Sequence, residues 1–375
     1  MSNKNLSAAK NAKNDEFYTQ YADIQKEINA YLDYNPDVFK GKTVLLPCDD
    51  PEWSNFTRFF AQNFETLGLK KLISTSYAPD AKKEKYGILF EYAAERNGGR
   101  PQNERGKIFV LDHDTNASGR IDFDDLEWDY LDGDGDFRSE EVCKLRDEAD
   151  VIVTNPPFSL FREFLAWILA AKSAKDAKEF LIIGNMNAIT YKEVFQLIMQ
   201  NKVWLGASIH SGDREFGVPK EYPLEAAGWR VDENGNHFIR VKGVRWFTNL
   251  EHGRRHQPMR LMTMRENIKF SKHKEVRGVG YPKYVNYDAI DVPFSDAIPA
   301  DYDGAMGVPI SFMDKYCPEQ FEILGISLDL ATPIKECVEP DAEYENGGLR
   351  FYLKIGEKKY HRLYDRIVIR ARRSK

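Results

Sequence analysis

No apolar run in the 375 residues approaches the roughly 18 needed to span a bilayer, and the opening stretch, MSNKNLSAAKNAKNDE, lacks the apolar centre of a secretory signal. The expectation is a cytoplasmic protein with no membrane partner. Cysteine is scarce: Cys48, Cys143, Cys317 and Cys337 stand far apart, with no CxxC or zinc-ligand spacing. They read as reduced structural thiols, and no metal site is expected. The chain also lacks a surplus of basic charge, since 53 Lys+Arg meet 59 Asp+Glu for a net charge of -6. That excludes a uniformly basic nucleic-acid binder and makes local charge the deciding quantity. What is present suffices for a core: 42% hydrophobic residues, with aromatics at 13%, exclude global disorder. At about 150 residues per domain, the length suggests two domains or one large domain with an appendage.

Charge is distributed unevenly. Between Arg120 and Asp150, 13 acids meet 4 bases, a balance of -9, whereas from Leu349 to Lys375 10 bases meet Glu357 and Asp365, a balance of +8. Residues 1–14 read as a flexible, polar and basic arm. From there to residue 215, short β-branched and aliphatic runs alternate with helical spacing, which predicts a parallel sheet with helices on both faces. The expected strands are Lys42 to Leu46, Lys71 to Ser76, Lys107 to Leu111, Val151 to Thr154, Glu179 to Ile183 and Val203 to Leu205. Helical spacing marks Phe56 to Phe64 and Leu160 to Leu169. Over 216–375 the alternation fades into short extended segments punctuated by Pro, Gly, Tyr and Arg, such as Val244 to Thr248 and Arg366 to Arg370.

In an open parallel sheet, ligands sit beyond the carboxyl ends of the strands. There the segment Asp150-Val-Ile-Val-Thr-Asn-Pro-Pro-Phe158 stands out. Its strand ends in Asn155, and Pro156 and Pro157 then stop ladder pairing and hold the backbone extended. The Asn155 side-chain oxygen and the Pro156 carbonyl can each accept one N–H of a planar amine, while Phe158 stacks on the attached ring. Two such acceptors draw the amine toward tetrahedral geometry and aim its lone pair at an electrophile. The alternative is a solvent-exposed Asn-Pro-Pro turn, which a strand before and an amphipathic helix after the motif disfavour.

The NPPF tetrad resembles the catalytic motif of DNA adenine-N6 methyltransferases, and VIVTNPPFSLF over 151–161 is similar to the EcoRI modification methylase family. So are DEFYTQY (15–21), CDDPEWSNF (48–56), GLKKLI (68–73), GDGDFRS (133–139), ITYKEVF (189–195), WLG (204–206), YPKYVNYDAI (281–290) and MGVPISF (306–312). The resemblance implies an α/β fold: a Rossmann-like S-adenosylmethionine-dependent methyltransferase domain over 15–215, with a C-terminal α+β target-recognition region over 216–375 that binds DNA. Asn155, Pro156, Pro157 and Phe158 are then the catalytic set. The implied cofactor surface is Tyr18, Thr19, Pro47, Cys48, Asp49, Asp50, Asn55, Asp136, Phe137 and Asn155, with S-adenosyl-L-methionine as cofactor. Thr19 stands at the methionine carboxylate, Asp49 and Asp50 at the aminoacyl end, and Asp136 and Phe137 at the adenine. The usual Gly-rich loop after the first strand is missing, and Asp50 also reads as a helix cap before Pro51. The ribose acid is not obvious, Asp80 being the nearest candidate. Asp132, Asp134 and Asp136 have calcium-loop spacing, but Phe137 replaces its Gly and Cys143 its Glu.

A paired base cannot present its amine, so the reading requires a flipped nucleotide stacked on Phe158, with Phe216 at its other face. Arg254, Arg255, Lys283 and the basic tail are the expected DNA contacts. The implied partners are duplex DNA, with a GAATTC-like site, and a cognate endonuclease acting separately on that site, the chain itself being a monomer. Two alternatives stay open: an NPPF-type enzyme acting on RNA or on a protein glutamine amide, and a non-catalytic DNA-binding relative.

Overall fold

The computed structural model describes residues 18–49, 54–78, 105–125, 127–170, 178–210, 212–218 and 228–372. The arm at 1–14, Asp50 and Asp80 lie outside the described residues. The chain divides into two compact units, 1–188 with 205–252, and 189–204 with 253–375. The division expected at 215/216 falls within a strand, Asp213–Val218.

Among the described residues from 18 to 248 there are twelve strands. They are β1 (Tyr18–Thr19), β2 (Thr43–Leu46), β3 (Lys71–Thr75), β4 (Lys107–Leu111), β5 (Glu127–Tyr130), β6 (Val151–Thr154), β7 (Glu179–Asn185), β8 (Trp204–Leu205), β9 (Asp213–Val218), β10 (Arg230–Val231), β11 (His237–Lys242) and β12 (Val244–Thr248). The main sheet runs β5-β4-β3-β2-β6-β7-β12-β8. Its centre, β3-β2-β6-β7, is parallel, and β2 and β6 are buried along their whole length, as continuous apolar runs such as Thr43-Val-Leu-Leu46 require. The expected all-parallel sheet is corrected at the flanks: β4 runs antiparallel to β3, β5 to β4, and β12 to β7. Local pattern marks a strand but carries no direction, so these reversals were invisible in it.

A second sheet, β1-β9-β11-β10, is antiparallel and pairs Tyr18–Thr19 with Gly217 and Phe216. Its alternating Phe216, Val218, Ile239 and Val241 join the core with Phe56, Phe59, Phe60 and Trp246. A buried carboxylate ties this unit together. Glu27, on the helix Tyr21–Tyr34, accepts the backbone N–H groups of Ala207 and Ser208 at 2.7 Å each and the Tyr31 hydroxyl at 2.8 Å. Burial raises its pKa, and these hydrogen bonds draw it partly back down. Glycine is obligatory beside it, because a Cβ on Gly206 would lie 2.2 Å from Glu27 Oε1 and 2.5 Å from Trp246 Cβ. This is the packing reason for the WLG block.

In the second unit, β13 (Ile290–Asp291), β14 (Met306–Pro309), β15 (Phe321–Ile326) and β19 (Arg366–Ala371) form a sheet in the order β13-β14-β19-β15. β16 (Glu343–Tyr344), β17 (Tyr352–Lys354) and β18 (Lys359–Arg362) form a smaller one. Asp291 anchors the first, accepting the Tyr284 hydroxyl at 2.7 Å and Arg366 Nε at 2.9 Å. Asn286 joins three segments, donating to Thr332 and Arg350 carbonyls and accepting the Tyr352 N–H.

Glu27→Gln replaces one carboxylate oxygen by an NH2 donor and leaves one of the two backbone N–H groups without an acceptor in a buried site. It is expected to cost about 1–3 kcal/mol, measured as a lowered denaturant midpoint at unchanged slope; an unchanged midpoint contradicts the anchoring role.

Candidate active site

The site is built on the carboxyl edge of β2, β3 and β6. After β2 the chain reaches Asp49, 7% exposed, whose two carboxylate oxygens accept the Ser54 and Thr154 hydroxyls, each at 2.7 Å. Its backbone is held as well, N–H to the Thr75 carbonyl at 3.0 Å and carbonyl from the Ser74 hydroxyl at 2.7 Å. Ser54 in turn caps the helix Asn55–Gln62, accepting the Phe56 and Thr57 N–H groups. The helix cap in this loop is thus Ser54. Side-chain hydrogen bonds thus hold Asp49 and Ser54, where a glycine turn would rely on close backbone approach.

Asn55 donates to the Thr19 carbonyl at 2.8 Å, which fastens β1 to the same helix. Thr19 is 5% exposed, and its hydroxyl is buried with no hydrogen-bond partner among the described residues. Thr19 pairs with Phe216 across the ladder, and Phe216 meets Phe158 edge to face, centroids 6.5 Å apart at 88°. A circuit of contacts therefore leaves the motif at Thr154, passes through Asp49, Ser54, Asn55, Thr19 and Phe216, and returns at Phe158.

Between those ends lies Asn155-Pro-Pro-Phe158. Asn155 is 8% exposed and Pro156 is buried, while Pro157 and Phe158 are half-buried. No donor among the described residues reaches the Pro156 carbonyl. A short turn follows, Leu160 N–H to the Pro157 carbonyl at 2.9 Å, and leads into the helix Phe161–Leu169. Gly184 in β7 makes room for it, since a Cβ there would lie 2.4 Å from the Phe161 ring.

The GDGDF loop docks on the ends of β3 and β4. Gly135, at φ +78°, brings its backbone so close to Ser76 that a Cβ would lie 2.1 Å from that carbonyl oxygen. The close-approach glycine missing after β2 is found here. Asp136 receives Arg138 on both oxygens, at 2.9 and 2.6 Å, and its N–H at 2.8 Å. Burial works to raise the Asp136 pKa, but these bonds and the adjacent charge hold it below the usual carboxylate range. Its stabilising contribution is therefore present at neutral pH and lost only as the pH falls through that lowered value. Phe137 is buried against Phe164 and Trp167, and the Arg138 guanidinium lies 5.3 Å from its centroid.

The other expected residues are scattered. Pro47 is buried and Cys48 half-buried at the β2 end. Phe216 is 2% exposed, and its ring supports Phe158 edge-on rather than lying parallel to it. Arg255 is 4% exposed, stacked on Trp204 at 3.7 Å and donating to Asn201, so it is an internal anchor in place of the expected exposed DNA contact. Arg254 and Lys283 are exposed, the latter 3.4 Å from Asp288. In the +8 tail, Arg350 pairs with Asp365, Lys358 with Asp341, Lys359 with Glu343, Arg362 with Glu345 and Arg366 with Asp291. Half of the ten bases are thus neutralised by carboxylates. The residues that sequence reasoning missed are Ser54 and Thr154, hydroxyls whose partner is remote in sequence.

The comparisons decide what these parts belong to. Residues 5–372 match the family described as adenine-specific methyltransferase EcoRI. The chain belongs to that family. It is 43% identical over 328 residues to the Type II methyltransferase M.EcoRI of Escherichia coli, covering 86% of this chain and 89% of the relative. It is 33% identical over 370 residues to the Type II methyltransferase M.MpnI of Mycoplasma pneumoniae, covering 98% of each. A third relative, M.MgeORF184P of Mycoplasma genitalium, is 33% identical over 84% of each chain. No solved structure matches. Membership makes the chain a methyltransferase with a Rossmann-like fold that uses S-adenosylmethionine, whose sulfonium supplies an electrophilic methyl group. The residues fit that donor: the buried Thr19 hydroxyl suits a carboxylate, and Asp49 and Asp136 offer anionic oxygens to an ammonium group and an adenine amine.

Thr154→Val keeps the side-chain shape and removes the donor to Asp49. It is expected to slow methyl transfer roughly 10- to 100-fold with cofactor affinity nearly unchanged, and Thr154→Ser to restore the rate. Thr19→Val is expected to show the opposite split, weakening cofactor binding about tenfold. Calorimetry and initial rates separate the two, and equal effects of both variants on affinity contradict the assignment.

Proposed function

We propose that this chain transfers a methyl group from S-adenosylmethionine to the N6 amine of an adenine flipped out of duplex DNA, within GAATTC or a close variant. It would be the modification half of a restriction-modification system. The observation that carries the reading is the end of β6, where a buried Asn155 and a Pro156 carbonyl that no described donor reaches stand beside a half-buried aromatic ring. The Type II names of the relatives and the adenine-specific family support the substrate, and the 43% identity to M.EcoRI supports the site.

Asn155 and Pro156 accept the two N–H bonds of the amine, and Phe158 stacks on the attached ring, worth about 1–3 kcal/mol per base. Phe216 backs Phe158 edge-on and so fixes its tilt. Adenine N6 has its lone pair delocalised into the ring, and two acceptors that pull its hydrogens to one side restore directionality. Asp49, through Thr154, holds the strand that carries Asn155, and it does so without touching the base.

Labelled S-adenosylmethionine and two duplexes, one with GAATTC and one with a single altered pair, test this reading. Label is expected on the GAATTC duplex only. Asn155→Ala is expected to lower transfer by 100-fold or more, on the order of losing an essential acceptor, with cofactor affinity within about threefold of the native value. Equal labelling of both duplexes rejects the site, and a matched loss of cofactor affinity rejects the role of Asn155.

A further inference from the structure

Outside the tail, a dense run of basic residues in the second unit lies over residues 260–283. Seven bases, Arg260, Arg265, Lys269, Lys272, Lys274, Arg277 and Lys283, face only Glu266 and Glu275 there, a balance of +5. The segment is built as a compact fold-back. The helix Met264–Phe270 is started by a capping box, in which the Thr263 hydroxyl accepts the Glu266 N–H and Glu266 accepts the Thr263 N–H. That turns the only acid of the helix toward its own cap and away from the cations. The chain then doubles back, with Gly278 N–H on the Ile268 carbonyl at 2.8 Å and Gly280 packed against Ile268. His273 stacks on Phe294 at 3.7 Å and, with Lys272, holds Asp296, which pins the base of the fold-back.

Two bases are spent on acids, Lys272 on Asp296 and Lys283 on Asp288. Arg265, Lys269, Lys274 and Arg277 are exposed and pair with no carboxylate among the described residues. Arg265 and Lys269 are one helical turn apart, about 6 Å along the axis, close to two steps of the ~3.4 Å charge spacing along one DNA strand. Between the cations, Phe270 is 62% and Val279 70% exposed, apolar groups left in water beside positive charge. Exposed cations interleaved with an unburied ring match a sugar-phosphate backbone better than an acidic protein surface, which calls for partners matched to discrete carboxylates.

We propose that the fold-back over residues 263–280 is a backbone-contacting surface for duplex DNA, with Arg265, Lys269, Lys274 and Arg277 as phosphate ligands. This deepens the proposed function and rests on its DNA substrate. The test is fluorescence anisotropy of the full chain with a labelled GAATTC duplex across a salt series. For the variant R265Q/K269Q/K274Q/R277Q, the slope of log affinity against log salt is expected to fall by ~0.9 per lost contact, about 3 to 4 in all, and affinity at low salt to drop at least about tenfold. Each single variant is expected to remove roughly one unit. The control K358Q/K359Q removes two charges already held by Asp341 and Glu343 and is expected to keep the native slope. A native thermal unfolding profile, including the transition of the second unit, shows that the variants are folded. A native slope in the quadruple variant, while the native chain binds and methylates the duplex, overturns this surface alone. An equal loss per charge in the control overturns it in favour of a diffuse field. Absence of salt-dependent duplex binding by the native chain overturns it together with the DNA reading.

Discussion

The Asp49 carboxylate is the point on which the site depends. A buried anion is tolerated only when its lone pairs are satisfied, and here two hydroxyls do so from opposite directions, one at a helix cap and one at the end of the strand before the NPPF motif. The carboxylate therefore sets the distance between the residues after β2 and the end of β6 that carries Asn155. Beyond it, Asn55 and Thr19 carry the constraint to β1, and the ladder with β9 carries it to Phe216 and back to Phe158. Asp49 and Ser54, on either side of a stretch without glycine, are held by five side-chain hydrogen bonds. The glycine that the fold needs for close approach has moved to Gly135, where the GDGDF loop meets the end of β3.

Charge follows a similar logic in the second unit. A count along the tail suggests a phosphate-binding arm, yet its side chains lie in strands facing Glu343, Glu345, Asp341 and Asp291, where opposite charges sit close enough to neutralise one another. The exposed pairs among them, unlike the buried Arg366–Asp291, contribute little to stability, but they remove positive potential from the surface. Arg255 shows the same effect in the interior, where stacking on Trp204 and a bond to Asn201 occupy its guanidinium. In the fold-back around Phe270, Arg265, Lys269, Lys274 and Arg277 are exposed and pair with no carboxylate among the described residues.

Much of the fold could be read from the chain. The runs at 107–111, 151–154 and 244–248 match β4, β6 and β12 to the residue, because each is a short stretch rich in β-branched, aliphatic or aromatic residues. The helix after NPPF was visible in the spacing of Phe161, Phe164, Leu165 and Ile168, all buried. The reversal of β4, β5 and β12 was not, since direction depends on partners chosen across the whole sheet. Nor was the pairing of Thr19 with Phe216, which joins strands almost two hundred residues apart. At the site, Asn155 and Phe158 stand out in the sequence because the NPPF pattern is local, and the fold places them, buried and half-buried, at the end of β6. Thr154 and Ser54 do not, because a hydroxyl in a sequence gives no sign of a carboxylate far along the chain.

The central claim is that the end of β6 holds an exocyclic amine of adenine, and the most direct measurement is the identity of the methylated atom. A duplex labelled from S-adenosylmethionine is digested to nucleosides and resolved by chromatography with mass detection. The account expects the label in N6-methyldeoxyadenosine. Label in 5-methyldeoxycytidine, where carbon is the acceptor and no amine is held, would contradict it.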